Sequence, residues 1–285
     1  MKRRTAALIA LAAALVSLAG PVLARSAKKD LTVAFLEKRV QDLSASGLLL
    51  SFVFKVTNAS TTTWYATGYD YRVMIENAEY FAVRNSLPEP IAVAPSSSTL
   101  IALPVKVTNA NLLKAIPAAA GKDRLACYLV GGMNFAENPR AEGDRLPVAC
   151  SGDFPLFRDL DLVFQPLEVK GLTIGGGDLT FRTSLTNRNG FALRVLSLRY
   201  VLELGGVKVS EGDIRTLGAL EANAVKEISL PLLLDFFEIG NSLYGLLQKP
   251  SVAGRFSGTA EIETDWGRFT VPVERTADIP VGAAR

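Results

Sequence analysis

The feature that most constrains this chain is a sequence pattern that occurs twice, about 129 residues apart. Residues 52–58 (FVFKVTN) and residues 181–187 (FRTSLTN) both alternate apolar with polar side chains, and both end in Thr-Asn. The same offset places Tyr71 on Tyr200. Alternation with a period of two is typical of strands that bury one face.

Later landmarks repeat in the same order. Residues 101–105 (IALPV) match residues 228–232 (ISLPL), and both copies end in a similar pair of short segments. A period of this length is too long for a solenoid repeat and equals the length of a whole domain. The sequence therefore predicts two tandem domains, residues 31–155 and 159–281.

Turn residues separate the predicted strands. Asn58 and Asn187 begin turns, since Asn tolerates left-handed backbone, and Gly205-Gly206 is typical of a hairpin. One helix is expected in each copy, over residues 109–120 and residues 233–247. Each Leu-Pro strand is expected at a sheet edge or a strand end, because proline has no backbone donor. The predicted fold is all-β, with two immunoglobulin- or fibronectin-III-like sandwiches.

The N-terminus is typical of a secretory signal peptide. Lys2, Arg3 and Arg4 precede an apolar run over residues 5–18, and residues 22–24 (VLA) form a small-x-small cleavage site. Residues 1–24 are thus expected to be removed by Sec-dependent export, with cleavage near Ala24. The protein would then be periplasmic or secreted and have no transmembrane span. An uncleaved anchor helix is the alternative.

Removal of this segment changes the charge balance. The chain has 31 Lys and Arg against 28 Asp and Glu, and the leader holds three basic residues, which leaves 28 of each sign. A balanced chain gives no electrostatic support for binding nucleic acid. We therefore expect no nucleic-acid partner.

Cys127 and Cys150 are the only two cysteines. In an exported protein an even pair favours a disulfide. The two residues fall on strands predicted to pair, where a cross-strand bridge is geometrically possible. Two buried free thiols are the alternative.

The pattern resembles the late-embryogenesis-abundant group 2 family, also called the water-stress-and-hypersensitive-response domain. The resemblance rests on a strand that ends in Asn, a Tyr-containing strand, and a Leu-Pro strand followed by a helix. The matching segments are residues 56–58, 69–71, 103–105 and 111–113 in the first copy, and 185–187, 198–200, 230–232 and 233–247 in the second. The family often has Asn-Pro where this chain has Asn58-Ala59 and Asn187-Arg188.

The resemblance implies a folded β-sandwich associated with desiccation and other stress, without catalysis. In a bacterial-type exported protein it implies a protective or scaffold role in the cell envelope. The alternative is a periplasmic module that binds an apolar or lipid ligand, or an envelope protein.

Residues able to perform chemistry are sparse. The chain contains no His, so the usual general base and catalytic triads are absent. Two thiols alone do not make the usual zinc site. Asp159 and Asp161 are interpreted as solvated junction residues, and Gly175–Gly177 as a turn without the context of a phosphate loop. No enzyme activity, metal or cofactor is predicted.

Four aromatic residues are candidates for a binding surface. Trp64 and Tyr65 lie in an aromatic-rich stretch, and Trp64 has no counterpart in the second copy. Phe236 and Phe237 lie in the second predicted helix, where they would either bind lipid or cover an open end of the sandwich. An apolar pocket of roughly 300 Å³ or more lined by both phenylalanines would favour ligand binding.

Overall fold

A computed structural model describes residues 26–215, 217–239 and 242–282. The predicted signal peptide lies outside the described residues. The model confirms the all-β prediction, because strands form most of the described chain and the helices are short.

The first half is a sandwich of two antiparallel sheets. One sheet has the order β1-β2-β5 and the other β4-β3-β6-β7. The strands are β1 (Leu31–Ser44), β2 (Gly47–Asn58), β3 (Trp64–Ile75), β4 (Ala78–Val93), β5 (Ser97–Thr108), β6 (Arg124–Ala136) and β7 (Asp144–Pro155). The helical segments are α1 (Ala27–Asp30), α2 (Asn109–Ala115) and a 3₁₀ turn (Pro117–Ala119), so the helix expected over residues 109–120 is confirmed.

The second half pairs its strands in the same order. The roles of β1 and β4 are each taken by two shorter strands, and a short parallel contact between Val281 and Leu167 joins the two sheets at one edge. The strands are β8 (Asp161–Phe164), β9 (Leu167–Leu172), β10 (Gly176–Thr186), β11 (Leu193–Leu204), β12 (Val207–Ile214), β13 (Gly218–Leu220), β14 (Val225–Asp235), β15 (Ser251–Thr264) and β16 (Gly267–Gly282).

The second predicted helix begins later than expected. Residues 233–235 belong to β14, and the described helical residues form α3 (Phe236–Ile239) and α4 (Ser242–Leu247). Leu230, Leu232 and Leu234 are buried while Pro231 and Leu233 are exposed. This period of two is strand geometry, so the strand prediction holds for the Leu-Pro segment and the helix prediction is wrong only for residues 233–235. The Leu-Pro prediction is confirmed, since β5 and β14 are both edge strands.

A buried asparagine closes one end of the first sandwich. Asn58, at the end of β2, donates its side-chain amide to the carbonyl oxygens of Thr62, Val93 and Ala94 at 2.7, 3.0 and 3.1 Å. Its Oδ1 accepts hydrogen bonds from the backbone N and side-chain Oγ of Ser60 at 2.9 and 2.8 Å. Since β2 and β4 lie in different sheets, this amide links the two layers.

Asn187 makes the same connections in the second half. Its amide donates to the carbonyls of Phe191, Leu220 and Glu221 at 2.9, 3.2 and 3.0 Å. Its Oδ1 accepts from the backbone N and Nδ2 of Asn189 at 3.0 and 2.9 Å. We refer to each arrangement as an asparagine clasp. The sequence predicted turns at these positions but not their burial.

A second common feature is a tyrosine placed opposite a glycine. Tyr71 pairs with Gly131, and Tyr200 pairs with Gly258. A Cβ added to Gly131 would lie 2.6 Å from the Tyr71 Cα, and one added to Gly258 would lie 3.0 Å from the Tyr200 Cα. Both glycines therefore allow the tyrosine on the neighbouring strand to approach closely, which a residue with a side chain would prevent.

The two halves meet through a short buried connection. Leu156, Phe157 and Leu160 are buried, and the Leu156 N–H donates to the Asp123 carbonyl at 2.9 Å. On the second half, Asn189 accepts from the Arg158 N–H at 2.7 Å and donates to its carbonyl at 3.0 Å. The connecting residues are thus held by hydrogen bonds from both sides.

A hairpin turn of the second half contacts the first. The Arg124 guanidinium lies 4.5 Å from the centre of the Trp266 ring, and its Nη2 donates to Asp265 at 2.6 Å. Phe191 packs edge-on against the same indole at 5.1 Å. The turn between β15 and β16 therefore also forms part of the contact between the halves.

The clasp generates a stability prediction. We expect Asn58→Ala to lower the free energy of unfolding by about 3 kcal/mol, because it leaves several buried polar groups unpaired. Chemical denaturation followed by far-UV circular dichroism measures this change. Asn85→Ala, at an exposed position of β4, is the matched control and should change stability by less than about 0.5 kcal/mol. Equal effects of the two substitutions would contradict a structural role for the clasp.

Candidate functional site

Trp64 is not a surface residue. It is only 2% exposed, and its Nε1 donates to an Asp30 carboxylate oxygen at 3.3 Å. The prediction of Trp64 as a binding residue is therefore wrong, because the indole fills the core near the N-terminal end of β1. Tyr65, which follows it on β3, is half-buried.

The tyrosines that follow on β3 pack against the core and against each other. Tyr71 is buried, its ring lies 5.5 Å from that of Tyr69, and its hydroxyl donates to the Pro104 carbonyl at 2.7 Å. Burial, together with the nearby Tyr69, raises the pKa of Tyr71 to about 12. Tyr71 therefore stays protonated at neutral pH and joins the two sheets through its hydrogen bond.

Phe236 and Phe237 point to different environments. Phe236 is 1% exposed and packs edge-on against Tyr244 at 5.8 Å, whereas Phe237 is 77% exposed. Phe236 thus closes the end of the second sandwich, together with buried Leu243 and Leu247. The two phenylalanines do not line a common apolar pocket, so the geometric condition for such a ligand site is not met.

Phe237 belongs instead to an exposed apolar cluster that the sequence analysis missed. Ile174 is 73% exposed and Leu233 is 84% exposed. A Cβ added to Gly175 would lie 3.2 Å from the Phe237 ring, and Gly176 pairs with Asp235. The β9–β10 turn and the end of β14 thus bring these side chains to one end of the second half. The doublet at residues 236–237 was the only sequence signal for this cluster.

The two cysteines are free thiols in the structure. Register places Cys127 opposite Gly152 and Cys150 opposite Leu129, so the cysteines are diagonal rather than direct neighbours. Diagonal pairs are about 7–8 Å apart, near the limit beyond which a bridge needs backbone movement. The expected disulfide is therefore not formed, although the predicted strand pairing is present.

Burial makes both thiols poor nucleophiles. Desolvation raises the pKa of Cys127 to about 11 and the pKa of Cys150 to about 12. Since the thiolate is the reactive form, both groups are inert at neutral pH. Because the folded pKa values are raised, the thiols stabilise the fold fully below the unfolded pKa near 9. That contribution is lost as the pH rises towards about 12.

We expect both thiols to react with a thiol reagent when the chain is unfolded and to be protected from it when the chain is folded. In denaturant without reductant, a thiol reagent should report two thiols per chain, whereas the native chain at pH 8 should react at least tenfold more slowly. Cys127→Ser and Cys150→Ser assign each signal. A count of zero thiols in denaturant would show that the strands shift to form the bridge.

The remaining polar candidates do not assemble a reactive centre. Asp161 pairs with Arg188. Thr173 and Gly176 hydrogen-bond across a turn that contains Gly175, whereas Gly176 and Gly177 already belong to β10, so the predicted turn is confirmed only at Gly175. No cluster of three or more His, Cys, Asp or Glu side chains able to hold a metal occurs in the described part of the chain. Among the same residues, every helix is too short or too polar to cross a bilayer.

Several solved structures resemble this chain weakly. A crystal structure from Archaeoglobus fulgidus is 13% identical over 44% of this chain and 97% of that chain, with a TM-score of 0.35. A solution structure of an Arabidopsis thaliana protein is 14% identical over 44% of this chain and 85% of that one, with a TM-score of 0.33.

A red sea bream transglutaminase is 13% identical, with a TM-score of 0.29. The match covers 88% of this chain, which spans only 32% of the transglutaminase. No curated protein shows significant similarity to the chain. The family comparison is more informative: residues 182–277, which extend from β10 into β16, match the model of the family described as Late embryogenesis abundant protein.

Proposed function

We propose that this chain is an exported, non-catalytic protein with two tandem late-embryogenesis-abundant type 2 domains, residues 31–155 and 159–281. Its role would be to protect or scaffold envelope proteins during desiccation. The observation that carries the proposal is the family match over residues 182–277. The first domain is included in the proposal because its structure is similar to that of the second.

Three correspondences support a second copy in the first half. Strand order is the same in both halves. Asn58 and Asn187 make clasps to equivalent carbonyls, with three donated and two accepted hydrogen bonds each. The Tyr71–Gly131 and Tyr200–Gly258 pairs occupy equivalent places in the sheets. A buried polar network that recurs in detail is a stronger sign of common ancestry than hydrophobic alternation, because many folds share such alternation.

The interior supports a protective or scaffold role over storage of an apolar ligand. Phe52, Phe54, Phe181 and Phe256 are fully buried, and Phe181 and Phe256 stack at 6.4 Å. In the described residues only one buried side-chain oxygen, Oγ1 of Thr180, lacks a hydrogen-bond partner. A filled interior of this kind acts through its outer surface.

A drying assay tests the proposed role. Lactate dehydrogenase dried and rehydrated with the purified chain should retain at least twice the activity that it retains with an equal mass of serum albumin. The Asn58→Ala, Asn187→Ala double variant is the matched control, and it should protect less because its surfaces are not held in place. Protection no better than albumin gives would contradict the role.

Export is tested separately by cell fractionation. In a Gram-negative host the full chain should reach the periplasm with Arg25 as its first residue, because residues 1–24 have the charge and apolar pattern of a cleaved leader. Deletion of residues 2–24 should retain the protein in the cytoplasm. Full-length protein that keeps its leader and stays inside the cell would contradict export.

A further inference from the structure

The outer face of the β4-β3-β6-β7 sheet carries two adjoining grooves. Their volumes are about 610 and 640 Å³, and both are lined by Asp70, Arg84 and Arg145. Because these three residues border both grooves, we treat the two grooves as one site. We call it the outer-face groove.

A glycine lies beneath the Arg145 side chain that borders this groove. Gly132 on β6 lies between Asp70 on β3 and Pro147 on β7. A Cβ added to Gly132 would lie 2.6 Å from the guanidinium carbon of Arg145. The absence of a side chain therefore allows Arg145 to cross β6 and reach β3.

Arg145 is fixed in place by Asp70. Its Nε and Nη2 atoms donate to the two Asp70 carboxylate oxygens, each at 2.8 Å. This bidentate bond holds the pKa of Asp70 below its ordinary value and raises the pKa of Arg145. The pair is thus a preorganised element of the groove wall, with both groups charged over the physiological pH range.

Other arginines in the groove are not neutralised in this way. Arg84 lies opposite Asp70 in the register, and its charge helps to lower the pKa of that carboxyl, but it forms no ion pair within 4 Å among the described residues. Arg72 has only a long contact to Glu79, 3.9 Å between Nη1 and Oε2. With Arg140 at one end, the groove holds four arginines against Asp70 and Glu142. This excess of positive charge is local to the groove, because residues 25–285 contain equal numbers of basic and acidic side chains.

The equivalent face of the second half serves as an internal comparison. There Arg199 takes the place of Asp70, Thr259 that of Gly132, and Asp213 that of Arg84. Arg255 pairs with Glu274, so its charge is matched. The charged residues that border the groove are therefore particular to this sheet and are not needed to build the fold.

We propose that the outer-face groove binds a ligand carrying several oxyanion groups, either phosphates or carboxylates, through Arg84 and Arg72 beside the fixed Arg145. Planar guanidinium groups suit both oxyanions, since they donate two parallel hydrogen bonds to either. The extended shape of the groove favours a chain-like anion over a single ion. This inference does not depend on the proposed protective function.

Isothermal titration of the full chain at low ionic strength tests the proposal, with inorganic tripolyphosphate and citrate as separate probes. We expect saturable binding at one site per chain. Binding of tripolyphosphate alone assigns the ligand as a phosphate, and binding of citrate alone assigns it as a carboxylate. Saturable binding of neither probe would overturn the proposal.

Variants distinguish binding in the groove from nonspecific attraction of anions to exposed arginines. Arg84→Ala should weaken binding at least tenfold, and Gly132→Ala should weaken it by displacing Arg145 without changing the net charge. Arg199→Ala, which removes an exposed arginine from the equivalent face, is the matched control and should alter the affinity less than twofold. Equal losses in Arg84→Ala and Arg199→Ala would also overturn the proposal. Thermal melting of each variant verifies that it is folded.

Discussion

Each sandwich depends on one buried amide that connects its two sheets. The hydrophobic effect holds two β-layers together without specifying how their ends meet, since it has no directional preference. Asn58 and Asn187 supply that direction by donating to carbonyls at the end of the facing sheet. A buried amide without partners would cost several kcal/mol, so any other closure of the turn is strongly disfavoured. The clasp therefore fixes the relation between layers that the core then fills.

With this scaffold in place, the two halves use their surfaces differently. The second half joins its sheets through a short β9–β16 contact and exposes an apolar cluster around Phe237. The first half carries a groove bordered by the Asp70–Arg145 pair, and Gly132 leaves room for the Arg145 side chain. The apolar cluster and the groove both lie at the surface, where a substitution need not disturb the core. Two halves with the same strand order can therefore present different surfaces to other molecules.

Sequence reasoning succeeded where a single periodic signal was decisive. The alternation around residues 52–58 and 181–187 predicted paired strands, and Gly205-Gly206 predicted a hairpin whose two glycines both have positive φ. It failed where two signals competed. The run at residues 233–237 is rich enough in leucine and phenylalanine to fit a helix, and only the buried-exposed alternation of Leu232, Leu233 and Leu234 shows that β14 continues to Asp235.

Sequence alone determined the all-β class, the twofold pattern and the positions of the turns, because these follow from local periodicity and from the backbone preferences of Asn, Gly and Pro. Tertiary structure decided which of the candidate residues face solvent. Trp64 lies in the core and Phe237 outside it, and Cys127 and Cys150 lie on paired strands but two residues out of register. The Arg145–Asp70 contact joins residues 75 positions apart across an intervening strand. Side-chain direction and cross-strand register depend on how distant segments pack, and no local pattern in the chain encodes them.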